Sequence, residues 1–191
     1  LERLARMIES MLFLARAGQE EVVLARQPLE AREELERVAD FFEGMAEERG
    51  LRLQCSGEGR FAADPALVRR ALANLVSNAV RHADAGSTVT LHAEPRAGMQ
   101  ELSVVNLGAP IPREHLDHLF ERFYRVDSAR SDAEGSTGLG LSIVNAIMTL
   151  HGGKASVQSD GPETRFTLVF PPDDALLSCA AGASLPGGHW R

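Results

Sequence analysis

A chain of 191 residues, 44% of them hydrophobic, has room for one substantial α/β domain and a small appendage. A formal charge of −7, with no clustered basic face, argues against a nucleic-acid partner, which needs cations to neutralise phosphates. Cys55 and Cys179 have no Cys or His at ligand spacing and no stretch approaches the roughly 20 apolar residues that cross a bilayer, so the composition argues against a disulfide framework, a zinc site and a membrane-inserted segment, and suits a reducing, cytosolic setting.

In chain order, Leu1, Leu4, Ile8, Met11 and Ala15 recur at spacings of three and four, with Glu2, Arg3, Arg6 and Glu9 on the outer faces. Such a seam predicts a partner-seeking helix; a helix packed on its own domain is the alternative, and two heptads leave both open. The pattern starts in mid-helix without a Met or a signal-peptide pattern, so the chain reads as a piece of something longer. Gly18 and Gln19 end the helix, and 20–28 reads as an extended connection. The predicted organisation is a helix over 1–18, a linker over 19–28, an α/β domain over 29–171, and a tail over 172–191 where Pro, Gly, Ala and Ser replace periodicity and predict disorder.

Within the domain, Leu29 to Arg49 carries Leu35, Val38, Phe41, Phe42 and Met45 on a helical stripe, with Gly50 as its C-cap. Leu51 to Cys55 alternates like a strand, Gly57 to Gly59 turns, and Phe61 to Ala63 forms a second short strand. Asp64 and Pro65 open a helix running to about Ala83, Asp64 as N-cap and Pro65 in the first turn. Strands follow at Thr88 to Ala93 and Glu101 to Asn106, with a turn at Pro95 to Gly98, then a short helix from Ile111 to Arg122. Arg125 to Thr137 has almost no apolar content and predicts a mobile loop. A helix from Leu139 to His151 and strands at Lys154 to Ser159 and Thr164 to Phe170, joined at Asp160-Gly161, complete the domain.

Two stretches carry chemistry. Gly135-Ser136-Thr137-Gly138-Leu139-Gly140-Leu141 runs into a helix, and a glycine loop at a helix start can seat a phosphate, because the first helical N–H groups lack intrahelical partners. An ordinary turn is the alternative for that loop alone. On the helix after Asp64, Asn74 and Asn78 share one face at i and i+4, where amides are poor helix formers. They form either an exposed polar face or a site in which the Asn78 carbonyl oxygen meets Mg²⁺, which takes few protein ligands and completes its shell with water and phosphates. Arg81 stands one turn further on, within reach of a phosphate, and His82 either stacks on a base or caps the helix end.

Asn74 to Ala83, Asn-Leu-Val-Ser-Asn-Ala-Val-Arg-His-Ala, resembles the N box of sensor histidine kinases, whose ATP-binding domain shares a superfamily with Hsp90, gyrase B and MutL. Asn106 to Pro112 is similar to the first glycine box, Leu119 to Arg125 to the F box and Gly138 to Leu141 to the second glycine box, in the family's order. The resemblance implies a two-layer α/β sandwich of the Bergerat type, with ATP and Mg²⁺ as ligands and phosphoryl transfer as the reaction. It implies that Asn78 coordinates Mg²⁺, Asn74 supports that site and Arg81 neutralises phosphate. The implied nucleotide set adds His82, Asn106, Gly108, Ile111, Phe120, Tyr124, Arg125, Thr137, Gly138, Leu139, Gly140 and Leu141. Asn106 would face the adenine, Gly108 would let the backbone run close to the purine, and Phe120 and Phe123 would anchor the lid. Arg122, Arg125 and Arg130 would reach phosphate or partner, with a solvated surface as the alternative for Arg130.

The chain departs from the family at identifiable positions. Most members have Asp where Asn106 stands; an Asn carbonyl accepts the same bond from the exocyclic amine without the charge, which predicts adenine selection at lower affinity. Pro110 and Ser136 replace glycines and stiffen their loops. Arg70 stands four residues before Asn74, where many relatives carry an acidic residue or His, so the general base is unassigned. No His-Glu-x-x-x-Pro acceptor motif occurs among the six histidines, so 1–18 reads as the end of a dimerisation hairpin whose acceptor histidine is absent.

The variant Asn-x-Gly-x-Pro-Ile-Pro, the run Phe123 to Asp127 and the stretch Asp40 to Gly50 are most similar to heavy-metal sensor kinases, responsive to copper or silver. The resemblance therefore implies the cytoplasmic domain of an inner-membrane bacterial sensor, a response regulator as partner, and a homodimer through the hairpin in the full-length protein. The competing readings are an ATPase of the Hsp90, gyrase or MutL type, which needs an upstream catalytic Glu that this chain lacks, and a non-catalytic nucleotide-binding interaction module.

Overall fold

The computed structural model describes residues 2–17, 22–126 and 138–172. The predicted loop 125–137 beyond Val126 and the predicted tail beyond Pro172 lie outside the described residues, and Arg130, Ser136 and Thr137 with them. The elements are α1 (Glu2–Arg16), β1 (Gln27–Glu30), α2 (Ala31–Glu48), β2 (Arg52–Gly57), β3 (Arg60–Ala63), α3 (Pro65–His82), β4 (Thr88–Arg96), β5 (Met99–Leu107), α4 (Arg113–Leu116), α5 (Gly140–Leu150), β6 (Lys154–Asp160) and β7 (Glu163–Phe170). Among the described residues no helix is long and apolar enough to cross a membrane.

The main sheet has the order β2-β4-β5-β7-β6, with β2 parallel to β4 and the other pairs antiparallel. Every second residue of β7 is buried, namely Thr164, Phe166, Leu168 and Phe170, so one face of the sheet meets the helices. Val89 and Leu91 of β4 and Leu102 and Val104 of β5 continue that face, against Leu35 and Phe42 of α2, Leu72, Leu75 and Val76 of α3, and Val144 and Ile147 of α5. Each fully buried side chain of this size stabilises the fold by about 1.5–3 kcal/mol, so the sandwich holds through this seam rather than through its surface ion pairs.

Helix α3 begins as its sequence predicts. The Asp64 carboxylate accepts the N–H groups of Ala66 and Leu67 at 3.0 and 3.2 Å, and Pro65 fills the first turn. Glu34 of α2, buried, receives Arg69 of α3 through Nε at 2.6 Å and Nη2 at 3.3 Å, which ties the two helices side by side. Cys55 faces the core, and burial pushes its thiol up to about 11, away from thiolate chemistry at neutral pH.

Three local expectations change, in α2, β3 and the segment 111–122. The buried stripe of α2 is Ala31, Glu34, Leu35, Val38, Ala39, Phe42 and Ala46, whereas Phe41 is 80% and Met45 49% exposed. The small alanines let the helix sit close to the sheet, and that contact turns the two larger side chains outward. Strand β3 does not extend the main sheet; it pairs antiparallel with β1, Leu29 opposite Phe61, and draws Gln27 and Pro28 out of the expected linker into a strand. The helix expected over 111–122 is the single turn α4, followed by turns. In α1, Leu4, Ile8 and Met11 are exposed, while Leu14, three residues past Met11 on the flank of that seam, is buried against the domain.

A buried imidazole joins the far end of the helices. His151, 2% exposed at the C-cap of α5, donates from Nδ1 to the Ile147 carbonyl at 2.8 Å and accepts the Asp64 N–H on Nε2 at 3.0 Å, while Phe170 packs edge-on. The linker closes over it: Ala25 N–H donates to the Asp64 carboxylate at 3.1 Å and Arg26 to the His151 carbonyl at 3.3 Å. An imidazole accepting on Nε2 is neutral, and burial, the largest influence, holds its pKa below the ordinary value. The unfolded chain therefore binds the proton more readily, so this contribution is complete above about pH 6.5 and is lost as pH falls below it towards the folded pKa. Urea midpoints measured from pH 8 to pH 5 are expected to fall more steeply for the native chain than for His151→Gln. Parallel slopes would remove His151 from the account.

Candidate active site

Asn74, Asn78 and Arg81 follow at steps of four and three along α3 and line one face of it, half-buried. Asn74 donates from Nδ2 to the Arg70 carbonyl at 2.8 Å, and its Oδ1 turns to α5, where a Cβ built on Gly140 would lie 2.9 Å away. The glycine leaves the first turn of α5 close against the Asn74 side chain, and so the two glycine-and-asparagine motifs, 62 to 66 residues apart by the positions 74, 78 and 140, face each other. The first intrahelical bond of α5 runs from Ile143 N–H to the Leu139 carbonyl, which leaves the N–H groups of Gly140, Leu141 and Ser142 without intrahelical acceptors at the positive end of the helix.

The amide of Asn78 makes no hydrogen bond to another described residue, so its oxygen is uncommitted. Among the described residues no group of three or more His, Cys, Asp or Glu could hold a metal. A single amide oxygen beside a phosphate seat fits Mg²⁺, which relies on water and phosphate for most of its shell, and would not fit an ion that needs a protein cage.

At the other end of the stripe, β5 delivers Asn106, 4% exposed, opposite Thr164 of β7. The Thr164 hydroxyl bonds Ser159 Oγ at 3.1 Å, and Ser159 Oγ accepts the Ile111 N–H at 2.9 Å, which pins the first glycine box to β6. Thr164 and Ser159 escaped the motif reading. Their signal was a hydroxyl at an inward position of an alternating strand, visible for Thr164 in the series Thr164, Phe166, Leu168, Phe170. Gly108 has a protein reason besides any ligand: a Cβ there would lie 2.2 Å from the His82 carbonyl oxygen. His82 stands exposed at the last position of α3.

The F box anchors through different groups than expected. Phe120 packs edge-on against Phe166 at 6.3 Å, as an anchor should, and Tyr124 shares a 2.6 Å hydrogen bond with His115 Nδ1. Phe123 is instead 55% exposed at φ 64°, a conformation that disfavours a side chain, and its role is played by the backbone: its N–H donates to the Gly138 carbonyl at 3.0 Å. Gly138, at φ +68°, packs on Phe123 so closely that a Cβ would sit 3.0 Å from that backbone. Arg125 is exposed.

Helix α1 docks beside the Asn74 end. The Arg70 guanidinium lies 4.4 Å from the centre of the Phe13 ring, and Arg122 of the F box donates to the Leu14 carbonyl at 3.3 Å. Arg70, four residues before Asn74, is thus a cation engaged with α1. No sequence signal connects residues 57 positions apart, Phe13 and Arg70.

A mixed sheet under α2, α3 and α5, open to solvent along the α3 stripe, has the layering of histidine kinase ATPase domains. Residues 63–174 match the family described as histidine kinase-, DNA gyrase B- and HSP90-like ATPase, and the chain belongs to that family. It is 45% identical over 187 residues to the sensor protein CzcS of Cupriavidus metallidurans, covering 97% of this chain and 39% of that protein. It is 41% identical over 172 residues to the sensor histidine kinase CusS of Escherichia coli K12, covering 90% of this chain and 36% of that protein. Full-length ShkA, solved in complex with AMPPNP, superposes with a TM-score of 0.79 at 26% identity, over 88% of this chain and 35% of that one. The chain therefore spans less than two fifths of the relatives' length.

Proposed function

We propose that this chain is the catalytic ATP-binding domain of a heavy-metal-responsive two-component sensor histidine kinase, on the cytoplasmic side of an inner membrane. In the whole protein the γ-phosphoryl group of ATP would pass to a histidine outside this chain, and from there to a response regulator. The observation that supports the reading is the close approach of Gly140 to Asn74, which brings the first turn of α5 to the helix that carries Asn78 and Arg81. The likeness to CzcS and CusS, together with the Asn-x-Gly-x-Pro-Ile-Pro variant, supports the metal-sensing branch.

Bound Mg²⁺·ATP supplies the transferable phosphoryl group and the cation that offsets its charge. Asn78 holds the metal, Asn74 fixes the spacing of α3 from α5, and Arg81 with the amides of Gly140 and Leu141 binds phosphate oxygens. Asn106 and Thr164 receive the base. Positioning and charge neutralisation account for most of the rate in such a transfer, so no strong base is required of this chain. Arg125 and Thr137, the latter outside the described residues, would contact the nucleotide, and 1–18 would belong to a dimerisation hairpin.

Calorimetric titration with a non-hydrolysable ATP analogue, with Mg²⁺ and with chelator, tests the site. Micromolar binding that needs Mg²⁺ is expected. Transfer of label from γ-³²P ATP to a histidine-bearing acceptor hairpin supplied in trans then tests the reaction. Nucleotide binding without any transfer would favour a non-catalytic module instead.

A further inference from the structure

We propose that the base end of the site is permissive at position 6 of the purine and accepts 6-oxo purine nucleotides as well as adenine nucleotides. The inference rests on the nucleotide reading above and concerns the side chain that would read the base. Asn106 is 4% exposed, yet its amide makes no hydrogen bond to another described residue. Its neighbours do not clamp it. Thr164, opposite it in register, spends its hydroxyl on Ser159, and Ser159 is engaged with the Ile111 N–H. The Asn106 nitrogen lies near the bare Cα of Gly108, 3.4 Å from where a Cβ would stand, so the glycine leaves the amide uncrowded on that side.

An amide without a fixed partner, on a side chain that is otherwise buried, can present either of its two faces. It carries one acceptor and one donor side by side, and rotation about a terminal sp³–sp² bond, whose energy profile is broad, exchanges them. Adenine offers a donor at its 6-amino group beside an acceptor at N1. A 6-oxo purine offers the reverse, an acceptor at O6 beside a donor at N1. One orientation of Asn106 matches the first pair and the flipped orientation matches the second. A carboxylate at the same place only accepts, so it would meet O6 with like polarity and leave that group unpaired.

The test compares Mg·ADP with Mg·IDP by calorimetry on the full 191-residue chain, since these diphosphates are not consumed and differ at the 6-position and N1 proton. Dissociation constants within about tenfold of each other are expected, and Asn106→Asp should widen the ratio by about tenfold or more, the scale of one mispaired buried polar group. ADP binding with IDP more than tenfold weaker in the native chain overturns the proposal and leaves the nucleotide site standing. An equal ratio in the native chain and Asn106→Asp overturns Asn106 as the reader of the base. If neither nucleotide binds, the nucleotide reading fails and the proposal falls with it. The native-chain comparison decides even if Asn106→Asp does not fold.

Discussion

Asn78→Ala is expected to abolish Mg²⁺-dependent nucleotide binding, a loss of about a hundredfold or more, since changes around a metal's ligands already weaken affinity by about 10- to 100-fold. The fold should not suffer. Asn78 makes no hydrogen bond to a described residue, it sits inside α3 one turn before its end, and Ala is the better helix former there by about half a kcal/mol. A thermal midpoint equal to or slightly above the native one, together with a titration in which Mg²⁺ and chelator give the same weak binding, is therefore the expected pair of results. Retention of a Mg²⁺-dependent increment would transfer the ligand role to another residue.

Gly108→Ala should have the largest effect on stability among the site residues. The added Cβ would lie 2.2 Å from the His82 carbonyl oxygen and 3.3 Å from its carbon, and neither is the end of a flexible side chain. Relief requires the end of α3 to move off β5. That movement strains the bond from Asp84 N–H to the Leu107 carbonyl, and a compensating shift of residue 108 strains its own N–H bond to the Pro162 carbonyl, both 2.8 Å. Overpacking and two weakened backbone bonds together predict about 2–4 kcal/mol of destabilisation. Because Arg81 lies on one side of the junction and Asn106 on the other, nucleotide affinity should fall as well. Urea denaturation and the same titration check both; a variant with native stability would mean that the junction yields without cost.

Much of the fold was legible locally. Asp64 before Pro65 starts a helix because the carboxylate and the ring satisfy its first turn from within four residues. The alternation in β7 and the four motifs are likewise short-range patterns, and the motifs by themselves mark Asn78, Arg81, Asn106 and Gly140 as candidates. What local pattern could not supply is which partner each surface meets. Phe41 looks like core by size, but α2 buries its alanines, since closeness to the sheet is decided by both layers together. Strand β3 follows β2 in the chain and pairs with β1, because Leu29 and Phe61 meet across 32 residues, 29 to 61, that propensity does not read. Gly140 comes to face Asn74, the Arg70 cation is spent on Phe13, and His151 is neutral because Asp64, 87 residues earlier, donates its amide. Propensity and capping act over a turn or two of chain, so they specify elements and name candidate residues. Close approach, burial and the charge state of a buried group depend on atoms brought together from distant positions, and these arise in the packed molecule.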